Sequence, residues 1–220
     1  MPSDVKPQRR YDSGRRRAQA ARTRHDVVEA ARQLFLTNGY GQTKVSAIAE
    51  AAGVSVETIY KAFGGKPGLV RALVSQGLEG AGPLPAERRS DQLQAMEPDP
   101  RKVIRNWIRL ATEVAPRTAP IVLLIRSAAD TDPEMADLLT EVDEQRLGRM
   151  GRNARTLYER GDLRDGITLD QARDILWTMS SPELYELLVV RRGWSLDRVA
   201  SLQADVMIAA LLPPEVSRSE

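Results

Sequence analysis

The chain has 220 residues, enough for one large domain or two modest ones with a buried core. Its 42% hydrophobic and 28% charged residues speak against disorder, and one histidine with no cysteine excludes disulfides, thiolate metal sites and multi-histidine metal clusters, so no metal or other cofactor is expected. The net charge of +2 conceals a split: residues 1–72 carry 13 Lys and Arg against 6 Asp and Glu, the remainder 19 against 24, the pattern of a polyanion-binding head or of an inconsequential basic tail.

Residues 1–20, with Lys6, Arg9, Arg10, Arg15, Arg16 and Arg17 and few apolar side chains, are expected to form a basic flexible arm. The arm has no apolar segment of the kind a signal peptide needs, and a cytoplasmic protein is expected. From Thr23 the pattern turns helical, with Val27, Val28, Ala31, Leu34 and Phe35 on one stripe and Asn38-Gly39 as the stop. A second helix fits Val45 to Ala52 with Val45, Ile48, Ala49 and Ala52 inward. A third fits Val56 to Phe63 with Val56, Ile59 and Phe63 inward. Gly53-Val54-Ser55 joins them, Gly53 suiting a left-handed corner and Ser55 an N-cap, which makes residues 21–66 a helix-turn-helix unit. Thr43 is the N-cap candidate for the second helix.

Residues 67–80 read as a connecting helix opened by Pro67, and residues 81–98 as a loop or linker with weak periodicity. From 99 to 213 every periodic segment is helical: Pro100 to Ala115, Pro120 to Ala129, Pro133 to Glu159, a helix capped by Thr168 and Gln171 and restarted at Ser181-Pro182, and a last one after Ser195. Residues 214–220 are a tail. Apolar runs such as Ile121 to Ile125 and Val206 to Leu212 are far below the roughly 20 residues of a membrane span.

Ser55, Glu57, Thr58 and Lys61 share the outer face of the third helix and could meet base edges or phosphates, although any solvated helix face carries such residues. Lys44 and Lys66 stand at helix N-termini, where the dipole disfavours cations by a few tenths of a kcal/mol; a docked phosphate would reverse that misfit. The run from Thr43 to Phe63, followed by Lys66 and Leu69 and preceded by Leu34-Phe35 and Gly39-Tyr40, resembles the DNA-binding domain of TetR family regulators over about 50 residues. The resemblance implies that Tyr60 and Lys66 contact phosphates, that Lys44 lies beside the backbone, and that Ser55, Glu57, Thr58 and Lys61 face the groove. The chain departs from the family at Ala62, where a histidine is frequent, and at Lys44, where a serine or threonine is frequent. Operator preference is therefore open. Arg15, Arg16, Arg17, Arg22 and Arg24 could reach phosphates or a minor groove, or remain a solvated arm.

The implied fold is all-α, with an N-terminal three-helix helix-turn-helix domain joined through a fourth helix to a C-terminal helical ligand-binding and dimerisation domain. The implied function is a sequence-specific repressor released from palindromic operator DNA by a small-molecule effector. Trp107, Met150, Tyr158, Trp177 and Met179 lie on apolar stripes that fit either ordinary core or an effector pocket, with Arg126 as a polar anchor. One helix-turn-helix reads few base pairs, so a homodimer through the last two long helices is expected. His25 is expected at the surface. Two rivals are a non-specific DNA-coating or architectural protein and a helical-bundle enzyme using Asp130, Asp132 and Glu134, acids that a helix start favours in any case.

Overall fold

The computed structural model describes residues 10–214, with side chains from residue 14. Among the described residues every regular element is helical: α1 (Arg10–Asn38), α2 (Val45–Ala51), α3 (Val56–Phe63), α4 (Lys66–Glu79), α5 (Ala86–Met96), α6 (Pro100–Ala129), α7 (Pro133–Glu159), α8 (Leu169–Met179), α9 (Pro182–Tyr185) and α10 (Leu196–Leu211), with a π-helical stretch, Glu186–Arg191, after α9. The chain divides into two compact units between Ala72 and Leu73, inside α4.

In the first unit the stripe read from the sequence is buried: Val27, Val28, Ala31 and Phe35 of α1 meet a core that includes Ile48 and Ala49 of α2, Ile59 of α3, and Leu69 and Val70 of α4. Gly39, at φ +79°, ends α1 by donating its N–H to the Phe35 carbonyl at 2.9 Å. The Phe35 and Tyr40 rings stack with centroids 5.7 Å apart. Thr43 is not the cap of α2. Its buried hydroxyl donates to the Gly39 carbonyl at 2.7 Å and lies 3.2 Å from that of Leu34, while Lys44 takes the N-cap position without a side-chain bond. A buried hydroxyl must be satisfied, and the end of α1 offers carbonyls with no helical partner.

Two further expectations change here. Residues 10–20 are helical rather than a flexible arm, because arginine, alanine and glutamine are good helix formers and α1 is already nucleated by its buried half; Lys6 and Arg9 of that arm fall outside the described residues. Val56, expected inward, is 39% exposed. It occupies the first turn of α3, where Ile59 alone is buried.

The second unit is built around α6. Val103, Ile104, Trp107 and Ile108 pack with Ala154 and Leu157 of α7, Ala172 and Leu176 of α8, and Ala204, Met207 and Leu211 of α10. The expected break at residues 116–119 is absent, for α6 runs through Pro116 and Pro120. Each proline removes a helical N–H, yet Ala119, Ile121, Val122 and Ile125 are buried beyond the first one, so packing on both sides outweighs the lost bonds. The end of α4 lies close to α6, since a Cβ on Gly77 would stand 2.8 Å from Thr118 Cγ2. Two signals read from the sequence match their elements: α7 spans the expected Pro133–Glu159, and Thr168 with Gln171 forms the capping box of α8.

The segment expected as a linker, residues 81–98, contains α5. Its periodicity is weak because polar groups hold it. Arg89 reaches both carboxylate oxygens of Glu113 on α6 at 3.0 and 2.6 Å and donates to the Leu84 carbonyl at 3.1 Å. Arg149 of α7 reaches Ser90 at 2.9 Å and Asp91 at 2.7 Å. Gln94 donates to Thr156 at 2.7 Å and accepts from the Trp107 indole at 3.0 Å.

The Arg89 guanidinium, with the Ala81 N–H, lowers the Glu113 carboxyl to about 2. A carboxylate depressed in the folded state stabilises fully above its unfolded value near 4.5 and loses that contribution as pH falls toward about 2. Glu113→Gln is therefore expected to lower Tm at pH 7 and to flatten the fall of Tm between about pH 5 and about pH 2, as thermal melts across that window will measure.

Candidate nucleic-acid interface

The corner between α2 and α3 forms as the residue types require. Gly53 takes φ +65°, and the Val54 N–H bonds back to the Ala49 carbonyl at 3.0 Å. Ser55, extended at φ −78° and ψ 152°, accepts the Thr58 N–H at 3.1 Å and so caps α3. Ile59 anchors the helix in the core, leaving Ser55, Glu57, Thr58 and Lys61 exposed and Tyr60 55% exposed. The groove-facing set expected from the sequence thus lies together on solvent. Part of its bonding capacity is used locally, because the Ser55 and Thr58 hydroxyls stand 2.8 Å apart.

Lys44 is exposed at the start of α2. Lys66 is half-buried, its ammonium 4.1 Å from the Tyr40 ring centroid in a cation–π contact. Arg24, expected from the sequence as one of the arginines that could reach DNA, lies with its guanidinium 4.4 Å from the Phe63 ring centroid and donates to the Ala62 carbonyl at 3.3 Å. It ties α1 to the C-terminal end of α3, where carbonyls lack helical partners. A signal was present: Arg24 precedes Val28, Ala31 and Phe35 by four, seven and eleven residues and shares their stripe. Arg16, Arg17, Arg22 and His25 are exposed on α1.

In the second unit the expected pocket residues separate. Trp107 belongs to the core with its indole N–H satisfied by Gln94, Met150 and Met179 pack against the same core, and Tyr158 is 58% exposed. Arg126 and Trp177 join a polar cluster where four helices meet. Arg126 pairs with Glu183 of α9 and, at 3.5 Å, with Asp143 of α7. Arg146 lies 4.3 Å from the Trp177 ring centroid, donates to the Trp177 carbonyl at 2.5 Å and pairs with Asp143 at 3.5 Å. Burial pushes the Arg146 guanidinium below its ordinary value, against the opposing pull of Asp143. The Trp177 indole Nε1 is buried with no hydrogen-bond partner. Asp132, weighed as a catalytic acid, caps α7 by accepting the Glu134 and Met135 N–H groups at 3.0 and 3.2 Å.

A short capped helix over a buried anchor, with a polar outer face, in an all-α chain having a separate helical body, defines a DNA-binding transcriptional regulator. The family model of bacterial regulatory proteins, tetR family, matches residues 27–73. The uncharacterized HTH-type transcriptional regulator YvkB of Bacillus subtilis is 39% identical over 69 residues, 31% of this chain and 36% of that protein. The HTH-type transcriptional repressor BepR of Brucella suis is 27% identical over 207 residues, 91% of this chain and 97% of that protein. In three dimensions the chain is similar to FadR of Bacillus subtilis, solved with stearoyl-CoA, at a TM-score of 0.68 and 18% identity over 84% of this chain and 98% of that one. Residues 27–73 thus match the family model of tetR regulators, and over 91% of its length the chain is similar to the repressor BepR. Among the described residues no helix is long and apolar enough to cross a membrane.

The cap makes α3 depend on one hydroxyl. Ser55→Ala is expected to destabilise the protein by about 0.5–2 kcal/mol, read from the urea midpoint, with Ser55→Asp restoring most of the loss.

Proposed function

We propose that this regulator is a homodimeric repressor that leaves a palindromic operator when a small-molecule effector binds the second unit. In each protomer α3 enters the major groove, with Ser55, Glu57, Thr58 and Lys61 at base edges and Tyr60, Lys66 and Lys44 on phosphates. A two-fold dimer sets two such helices about 34 to 36 Å apart, on successive major grooves. Such a regulator meets its operator in the cytoplasm.

The observation that carries the dimer is an uncovered apolar surface near the end of the chain. Beside the buried positions Val199, Met207 and Leu211, α10 leaves Leu202 and Val206 exposed, and the π-helical stretch leaves Leu187 exposed and Val190 65% exposed. A single chain needs one buried face on each helix, and a second apolar face is what a four-helix dimer interface uses. The effector reading is supported by the Arg126, Asp143, Arg146, Trp177 and Glu183 cluster, whose buried indole N–H awaits an acceptor, and by the bound acyl-CoA in FadR, a protein of similar fold. Effector binding would favour a conformation that fits the operator poorly, so that release is a shift of populations.

Footprinting on DNA adjoining its own gene tests the reading. A protected palindrome is expected, and a saturating effector from a metabolite and antimicrobial screen should weaken binding about 5- to 150-fold; uniform protection would instead favour a DNA-coating protein. Val190→Asp with Val206→Asp is expected to yield a folded monomer in analytical ultracentrifugation that has lost operator affinity at concentrations where the parent binds.

A further inference from the structure

The junction of α6, α7, α8 and α9 holds a mismatch between donors and acceptors. Asp143 Oδ1, Glu183 Oε1, Arg146 Nε and Trp177 Nε1 are all buried there without a hydrogen-bond partner. The two oxygens are nevertheless met by cations, since Asp143 Oδ1 lies 3.5 Å from Arg146 and Glu183 Oε1 contacts Arg126. The two N–H groups have no acceptor. A buried donor left bare is a cost that a folded chain normally removes.

Charge is as uneven as the bonding. Asp143 is shared between two guanidiniums, its Oδ2 3.5 Å from Arg126 and its Oδ1 3.5 Å from Arg146. Both separations are longer than a charge-assisted hydrogen bond, about 2.7–2.9 Å. Arg126 has Glu183 besides, whereas Arg146 otherwise has neutral partners: the Trp177 carbonyl, the Ser180 hydroxyl and the Trp177 ring. The guanidinium that is deeper in the fold, 17% exposed against 39% for Arg126, is therefore the one with less anionic charge beside it. Met150 follows Arg146 by one turn of α7 and packs against the apolar core of the second unit.

We propose that this junction takes an organic carboxylate with an apolar body: the carboxylate accepts from Arg126, Arg146 and the Trp177 indole, and the body lies toward Met150. The proposal deepens the effector reading above, on which its regulatory meaning rests. A cationic ligand would find both acids already met by arginine and would leave the two donors bare. With a carboxylate bound, the junction holds three acids for two guanidiniums. Glu183, 36% exposed, is then the acid that turns to solvent, which loosens the tie between α6 and α9.

Isothermal titration calorimetry on the full chain tests this with dodecanoate and naphthoate, each beside its uncharged amide, and with dodecyltrimethylammonium, all below micellar concentrations. A carboxylate is expected to bind about tenfold or more tighter than its amide, because only the charged form makes charge-assisted bonds. Trp177→Phe, which keeps a ring and removes the N–H, and Arg126→Gln should each weaken carboxylate binding about tenfold or more. Glu183→Gln should tighten it, and Trp194→Phe, at a ring stacked under Arg198 outside the junction, should bind as the parent does. Circular dichroism melts without ligand identify any variant that fails to fold; if Trp177→Phe does, the opposite signs expected of Arg126→Gln and Glu183→Gln decide. Equal affinity for acid and amide, preference for the ammonium, equal losses in Trp177→Phe and Trp194→Phe, or no binding of either carboxylate would overturn the proposal. Carboxylate binding with the expected residue dependence but with operator affinity unchanged would instead overturn the effector reading and leave the carboxylate site standing.

Discussion

Ile59 is the side chain through which α3 is held. A helix of eight residues is too short to persist in water by itself, so its existence and its direction both come from the core beneath it. That core is small, drawn from α1, α2, the start of α4 and one side chain of α3. Around the anchor, Ser55 closes the beginning of the helix, and Gly64, at φ +77°, and Arg24 close its end. Each of these devices satisfies backbone groups that a short helix leaves bare, and together they leave the outer face free for a partner.

The second unit meets the opposite problem, that of a long helical body with too few apolar positions to hold every element by burial. It resolves this with polar latches in half-buried places. Arg89 on Glu113, Arg149 on Ser90 and Asp91, and Gln94 between Trp107 and Thr156 fasten α5 to α6 and α7. Arg146 and Arg126 organise a similar junction of α6, α7, α8 and α9. Such contacts have narrow geometric tolerance, whereas an apolar interface slides more easily.

Charge is distributed with the same division of labour. Among the described residues of the first unit, Arg15, Arg17, Arg22, Lys44 and Lys61 stand on solvent; in the second unit Arg89, Arg149 and Arg160 pair with acids of the fold. Exposed cations of this kind, on the described residues of the first unit, are the form in which charge attracts a polyanion.

Much of this was legible in the sequence. The apolar stripe of α1, the Gly53 corner, the Ser55 cap, the Thr168 capping box and the bounds of α7 each follow from local chemistry, because a helix period, a left-handed glycine and a capping hydroxyl act within a few residues. The all-α class and the solvent-facing row on α3 follow from the same rules. Tertiary structure decided what depends on partners far along the chain. It made α5 a helix through arginine and glutamine contacts that no periodicity announces, carried α6 through two prolines, took Thr43 from capping to tie the end of α1, and drew Trp107 into the core while leaving Tyr158 outside. It also turned a run of arginines into a helix with two faces, one aligned with Arg24 and α3, because propensity sets whether such a run can be helical and only the anchored core sets which way its faces point.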